Sequence, residues 1–259
     1  MDAWYVFCFA PAKKIAGPDL NDRLNDCGWE DPVGIEITGD VAAVTSMVPR
    51  ERFEGPEAEQ NLADLHWLLP RVEAHDRVIA TAMAGAPVFP LRFGTLFSSG
   101  QALAIEMARR RRSLLDFFSA MAGREEWAVK AVLVKDQAIE VRRLALFPEE
   151  AVESGPIGRN YLLRQRQKAQ AEQALGPWLA QLVTELEREL RGLCESVSVR
   201  TPTDPVFGNW ACLVGPGEAE RLHREIVRLS ASYTDLGVEL HCSGPWPLYS
   251  FCNAAGPIR

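Results

Sequence analysis

Apolar residues alternate with polar ones, or run together, in short blocks that predict strands. The first is Trp4 to Phe9, rich in aromatic and β-branched residues. Val33-Gly34-Ile35-Glu36-Ile37 and Val41 to Ser46 form a second and third block, and Gly39-Asp40 between them predicts a hairpin turn. Between the first two blocks, residues 19–27 suit a short helix with Leu20, Leu24 and Cys27 on one face, ended by Gly28. Residues 49–60 are polar and acidic and read as a loop. From 61 to 84 the apolar positions recur at helical spacing. Leu62, Leu65, Leu69, Val72, Ile79 and Ala82 are then expected on the inner face, with Pro70 as a kink and Gly85 as the stop. Two prolines make residues 86–94 an edge strand at best. Ser98 or Ser99 is placed to cap a helix to about residue 122, with Leu103, Met107, Leu114, Phe117, Phe118 and Met121 inward. The arginine run 109–112 reads as a solvated helical face.

Past Gly123 the pattern restarts. Trp127, Val129, Ala131 and Leu133 share one face of a strand, and residues 141–147 read as a second, weaker strand. Residues 148–156 are linker-like, and a polar helical stretch follows over 158–174. Leu175, Trp178, Leu179, Leu182, Val183, Leu186 and Leu190 make a helical stripe, and Gly176-Pro177 is expected to split the region from residue 158 onward into two helices or to kink one. Strands are predicted at 196–201, 209–214 and 238–242, with a helix over 218–236 that Gly237 ends. The second half thus reads β-α-β-β-α-β with an extra strand in its first connection, the split-βαβ plan of ferredoxin-like domains. The expected architecture is α+β in two domains. Residues 1–123 form a looser α+β sandwich, 124–243 a ferredoxin-like domain, and 244–259 a C-terminal tail packed back on the body.

Composition narrows the chemistry. The chain has 259 residues, 47% hydrophobic and 24% charged, with a formal net charge of -7. That is the profile of a globular protein, and its acidity argues against nucleic-acid binding, which needs a basic surface. The first residues carry no basic leader before an apolar run, and no run reaches membrane-spanning length, so a cytoplasmic protein without a membrane span is expected. The six cysteines form no C-x-x-C pair. They are expected as reduced thiols, with Cys8, Cys212 and Cys242 inside strands. Phosphate loops, nucleotide fingerprints, nucleophile elbows and H-E-x-x-H are all absent from the sequence. His66 and His75 are two and a half helical turns apart, too far to share a metal from one face, and His75 beside Asp76 points elsewhere by about 100°. His75 is expected at the surface or as a cap. Glu125-Glu126 and Glu149-Glu150 look solvated. Trp4, Trp127 and Trp210 suit core packing, whereas Trp29 and Trp246 lie in loops where a partner could meet them. The residues therefore suggest no catalytic, cofactor-binding or metal site.

Three segments carry a resemblance: Pro90-Leu91-Arg92-Phe93-Gly94-Thr95-Leu96-Phe97, Asn209-Trp210-Ala211-Cys212-Leu213-Val214, and Gly244-Pro245-Trp246-Pro247-Leu248-Tyr249-Ser250-Phe251. With Gly39 to Val44, Asp64 to Leu68 followed by His75, Glu126 to Lys130 and Gly158 to Leu162, in this order, the chain resembles the gas vesicle protein GvpL/GvpF family. The resemblance implies a two-domain α+β fold with a ferredoxin-like C-terminal domain. It also implies a non-enzymatic accessory role in gas vesicle assembly, in the cytoplasm and on the vesicle, the shells that give buoyancy. The implied partners are the hydrophobic shell protein GvpA and other gas vesicle accessory proteins. Candidate partner-binding residues are Phe89, Arg92, Phe93, Phe97, Trp246, Tyr249 and Phe251. The alternative is a haem-dependent oxidoreductase built on tandem ferredoxin-like domains, with His223 or His241 as the ligand. A small-molecule sensor pair is a further reading.

Overall fold

A computed structural model describes residues 2–15, 18–148 and 157–255. The chain divides into two compact units, one of Met1–Glu125 with Trp246–Arg259, the other of Glu126–Pro245.

The first unit is built on a mostly antiparallel sheet. Its elements are β1 (Asp2–Pro11), α1 (Pro18–Asn25), β2 (Val33–Thr38), β3 (Val41–Pro49), α2 (Pro56–Ala63), α3 (Leu65–Met83), β4 (Phe89–Pro90), β5 (Leu96–Phe97) and α4 (Gly100–Ala120). The strand order is β2-β3-β1-β4, with β5 also pairing β1. β2 and β3 make the hairpin that Gly39-Asp40 predicts, in register from Val33↔Ser46 to Thr38↔Val41. β1 is buried over most of its length, as a central strand covered on both faces must be. A bulge between Val6 and Cys8 resets its alternation. Tyr5, Phe7, Cys8 and Ala10 therefore all join one core with Leu24 of α1 and Ala74, Val78, Ile79 and Ala82 of α3. α4 packs on β1, β2 and β3 with Leu103, Met107, Leu114, Phe117 and Phe118 buried. Ser99 caps it, accepting the Ala102 amide at 3.1 Å.

Several expectations change here. The helix expected over 61–84 is two helices, because the Asp64 carboxylate caps α3 by accepting the His66 amide at 2.9 Å. The loop expected at 49–60 already contains most of α2. The buried face of α3 is Ala74, His75, Val78, Ile79 and Ala82, while Leu62, Leu65 and Leu69 stand 46%, 61% and 53% exposed. Of the four arginines on α4, Arg110 is buried and bonds Glu106 rather than facing water.

The second unit contains β6 (Glu125–Leu133), α5 (Lys135–Leu146), α6 (Ile157–Gln173), α7 (Leu175–Leu193), β7 (Ser196–Val199), β8 (Val206–Val214), α8 (Ala219–Tyr233) and β9 (Val238–Trp246). Its sheet runs β7-β8-β6-β9. Val129, Ala131, Trp210, Cys212 and Val214 meet Leu182, Leu186 and Leu190 of α7 and Leu222, Ile226 and Leu229 of α8. Gly208 is required by that core: a Cβ there would lie 2.2 Å from the Trp210 ring. Residues 141–147, expected as a strand, belong almost wholly to α5, so the extra strand of the first connection is a helix. Arg143 in this helix is buried and held by Glu140 and Gln167. The helical region divides into α6 and α7 next to Gly176-Pro177, as expected, and both residues fall in the first turn of α7, where a missing amide costs nothing. Glu126, expected in water, is fully buried and pairs with Arg200. The linker-like stretch lies almost entirely outside the described residues, as does Glu149-Glu150.

Candidate functional site

α3 turns one polar residue into the first unit's core. His75 is 1% exposed and sits between Ala74 and Val78 on the buried face. This reverses the expectation of a surface or capping histidine. The Tyr5 hydroxyl lies 2.8 Å from His75 Nδ1 and accepts the Gly94 amide at 3.1 Å. The Leu91 carbonyl beside Nε2 can only accept, so in the neutral ring the proton is on Nε2 and Nδ1 accepts from the Tyr5 hydroxyl. Nε2 faces the Leu91 carbonyl at 3.1 Å and the Tyr249 hydroxyl at 3.2 Å. The Tyr249 hydroxyl in turn donates to Asp76 Oδ1 at 3.2 Å. Every donor in this chain finds an acceptor with one assignment of protons.

Burial lowers the His75 pKa to about 4, against a raising contribution from the Leu91 carbonyl. The ring is therefore neutral near pH 7, the state the proton assignment requires. Burial likewise pushes the Tyr5 and Tyr249 hydroxyls up, and raises the half-buried Asp76 carboxyl despite the Tyr249 hydrogen bond. With the ring neutral, the network acts as a fastener between α3, the loop at Leu91 and the tail at Tyr249.

Aromatic rings wrap it. Tyr5 lies 4.8 Å from Phe7, 4.6 Å from Trp29 and 5.0 Å from Phe53, centroid to centroid. Phe93 reaches in from the loop to 5.7 Å from both Phe53 and His75. Trp67 closes the far side at 5.8 Å from Phe53. Trp29, expected to meet a partner from a loop, is a buried member of this cluster.

The seven candidate partner-binding residues separate on this frame. Phe93 and Tyr249 are brought together at His75 and are half-buried. Arg92 points its side chain into water, while its carbonyl accepts the Thr95 amide and hydroxyl at 3.1 and 2.7 Å. That turn needs Gly94 at φ +83°. Trp246, which ends β9, is 43% exposed. Phe97 pairs with Trp4 across β5 and β1, and Phe251 is half-buried in the 3-10 turns after Leu248. Phe89 is 3% exposed against Phe117 at 5.1 Å, so its ring belongs to the core. The residues that sequence reasoning missed are Tyr5, His75 and Asp76. Their only sequence signal is that His75 keeps step with Val78 and Ala82 on the helix.

His223 lies edge-on to Trp127 at 4.8 Å and His241 stands exposed 3.3 Å from Glu239, which gives a haem ligand no support. Among the described residues no three His, Cys, Asp or Glu side chains gather as a metal site. No helix among them is long and apolar enough to cross a membrane.

The family model described as "Gas vesicle synthesis protein GvpL/GvpF" matches residues 3–253. Gas vesicle protein L of Streptomyces sp. (strain CB03234) is 27% identical over 228 residues, covering 84% of this chain and 82% of that protein. Gas vesicle protein F of the same strain is 27% identical over 260 positions, covering 95% and 98%. Crystal structures of GvpF from Anabaena sp. PCC7120 and from Microcystis aeruginosa share the fold. The first has TM-score 0.67 at 18% identity over 98% of this chain and 97% of that one. The second has TM-score 0.61 at 16% identity over 97% and 99%.

Proposed function

The chain belongs to the GvpL/GvpF family of gas vesicle synthesis proteins, and from that premise we propose that it is a non-enzymatic assembly factor that binds the hydrophobic shell protein GvpA. In this reading it works in the cytoplasm, in association with gas vesicles and alongside other gas vesicle accessory proteins. We further infer that both units are domains. The second is ferredoxin-like: its β-α-β-β-α-β order, counted with α5 to α7 as one helical connection, goes with the strand order β7-β8-β6-β9.

The observation that carries the reading is an apolar face left in water beside the His75 fastener. Leu65, Leu69, Val72 and Asp76 follow at four, three and four residues, so they lie along one side of α3. Leu65 and Leu69 are more than half exposed, and Asp76 at the end of the row receives Tyr249. The same fastener fixes the loop that carries Arg92 and the tail that follows Trp246. A shell subunit that exposes apolar surface before assembly would find there aliphatic side chains rimmed by charge. Phe93 and Tyr249 act in this reading by holding the surface. Arg92, Trp246, Leu65 and Leu69 act by touching the partner.

The experiment is deletion of this protein from cells that make gas vesicles, followed by pressure-collapsible turbidity. Loss of the collapsible signal, restored by the wild-type chain, is expected. Full-sized, normally abundant vesicles in the deletion strain would refute an assembly role.

A further inference from the structure

A small cleft opens on the first unit between the loop after α1, the turn before α2, and α3. Its volume is about 40 Å³, and Trp29, Glu30, Asp31, Arg52, Phe53 and Arg71 line it with Gly28 and Pro70. The cleft combines three features. Trp29 and Phe53 stack nearly parallel, 14° apart at 6.2 Å, and give an aromatic wall. The Trp29 indole N–H is buried without a hydrogen-bond partner. Arg71 is fixed flat on Trp67, 4.3 Å from the ring centroid, and donates to the Trp67 carbonyl at 2.7 Å. A cation oriented by its own helix is pre-organised to receive a carboxylate.

That carboxylate is now Glu30, which bonds Arg71 and approaches Arg52 at 3.6 Å. Arg52 has its own partner in Asp31 at 2.7 Å. Glu30 is half exposed, and an ion pair in contact with water holds only weakly. If Glu30 swings into water, Arg52 keeps Asp31, Arg71 is left with an open fork, and the cleft gains one net positive charge.

We propose that this cleft receives an acidic side chain next to an aliphatic one, on a peptide segment of a partner protein, and that Glu30 holds the carboxylate position in its absence. The incoming carboxylate takes Arg71. The aliphatic neighbour covers Phe53 and Pro70, contacts Glu30 cannot make. The test of this site contains no gas vesicle component and no variant of Leu65, Leu69, Arg92 or Trp246, so either proposal can fail alone.

The test is a titration of the full chain with the capped dipeptides acetyl-Leu-Glu-amide and acetyl-Leu-Gln-amide, read on the Trp29 indole N–H resonance, which Trp29→Phe identifies. The Glu dipeptide is expected to shift that signal and the Gln dipeptide to leave it in place. Glu30→Gln removes the competitor and should tighten the Glu dipeptide about two- to fivefold. Arg71→Gln should abolish the shift. Should that variant fail to fold, Arg71→Lys keeps the charge without the fork and should bind more weakly than wild type. Equal shifts from both dipeptides, no shift from either, or no tightening in Glu30→Gln would overturn the proposal.

Discussion

Replacing His75 by Phe tests the fastener at its centre. The substitution keeps a flat ring in the buried face of α3 and removes both nitrogens. The Tyr5 hydroxyl loses its acceptor, and the Leu91 carbonyl and Tyr249 hydroxyl lose a donor. A buried polar group stranded in this way costs about 1–3 kcal/mol. Tyr5 keeps the Gly94 amide and Tyr249 keeps Asp76, so the expected loss is about 2–4 kcal/mol rather than the full sum. Tyr5→Phe strands the Gly94 amide and Nδ1 and should cost about 1–3 kcal/mol. Because the two side chains share a hydrogen bond, the double variant should be less damaged than the two single losses added, by about 1 kcal/mol or more. The assay is urea unfolding followed by tryptophan fluorescence, using the transition that His75→Phe moves. Strict additivity would show that the Tyr5–His75 bond does not exist in solution.

The same residue predicts a pH dependence. Its folded pKa of about 4 lies below the ordinary value of 6.5, so the unfolded chain binds the extra proton first. Stability is then full above pH 6.5 and falls as the pH drops towards 4, levelling below it, with a total loss of about 3 kcal/mol. Subtracting the profile of His75→Phe should remove this component. A wild-type and variant pair that lose stability in parallel from pH 7 to 4 would refute it.

Three further outcomes follow from particular contacts. Gly208→Ala places a methyl 2.2 Å from the Trp210 ring and should cost about 1–3 kcal/mol by thermal or urea unfolding of the second unit. Glu126→Gln removes the charge facing Arg200, which is one-third exposed and can rehydrate, so the expected loss is about 1–3 kcal/mol, below that of a fully buried pair. Among the thiols, Cys194 should react first with iodoacetamide. It is half-buried, and a hydrogen bond with Cys212 and the nearby Arg221 charge lower its pKa, whereas burial raises those of Cys8 and Cys242; mass mapping of a brief labelling reads this out.

Strands and most helices were legible because one face of each meets water and the other does not. The alternation in Val33 to Ser46 and the stripe Leu182, Leu186, Leu190 declare their own partners. The second half of α3 buries Ile79 and Ala82 as expected, but its first half misleads because Leu65 and Leu69 face outward and the core face there is completed by Ala74 and His75. Hydrophobicity alone then selects the wrong side of the first turns. α5 misleads because its first half, from Lys135, is polar and only residues from Val141 on carry an apolar run, short enough to pass for a strand. Glu126 and Trp29 fail for another reason: burial of a paired charge or a loop ring is decided by tertiary partners. The candidate site was half legible. Its loop and tail stand out as motifs, but their meeting point joins residues 70 and 174 positions apart, a proximity no local pattern encodes.

The central proposal is that this chain binds GvpA through the exposed side chains of Leu65, Leu69, Arg92 and Trp246. The direct measurement is the affinity of tagged GvpA for the wild-type chain, for Leu65→Glu/Leu69→Glu and for Arg92→Glu/Trp246→Ala. The exposed leucines tolerate Glu in the folded state, and a carboxylate in the first turn of α3 suits the helix N-terminus. Capture of GvpA by the wild type, with a loss of about tenfold or more in each folded variant, is the predicted result, since two leucines leaving water are worth a few kcal/mol. Equal capture by all three proteins, or none by the wild type, would contradict the account.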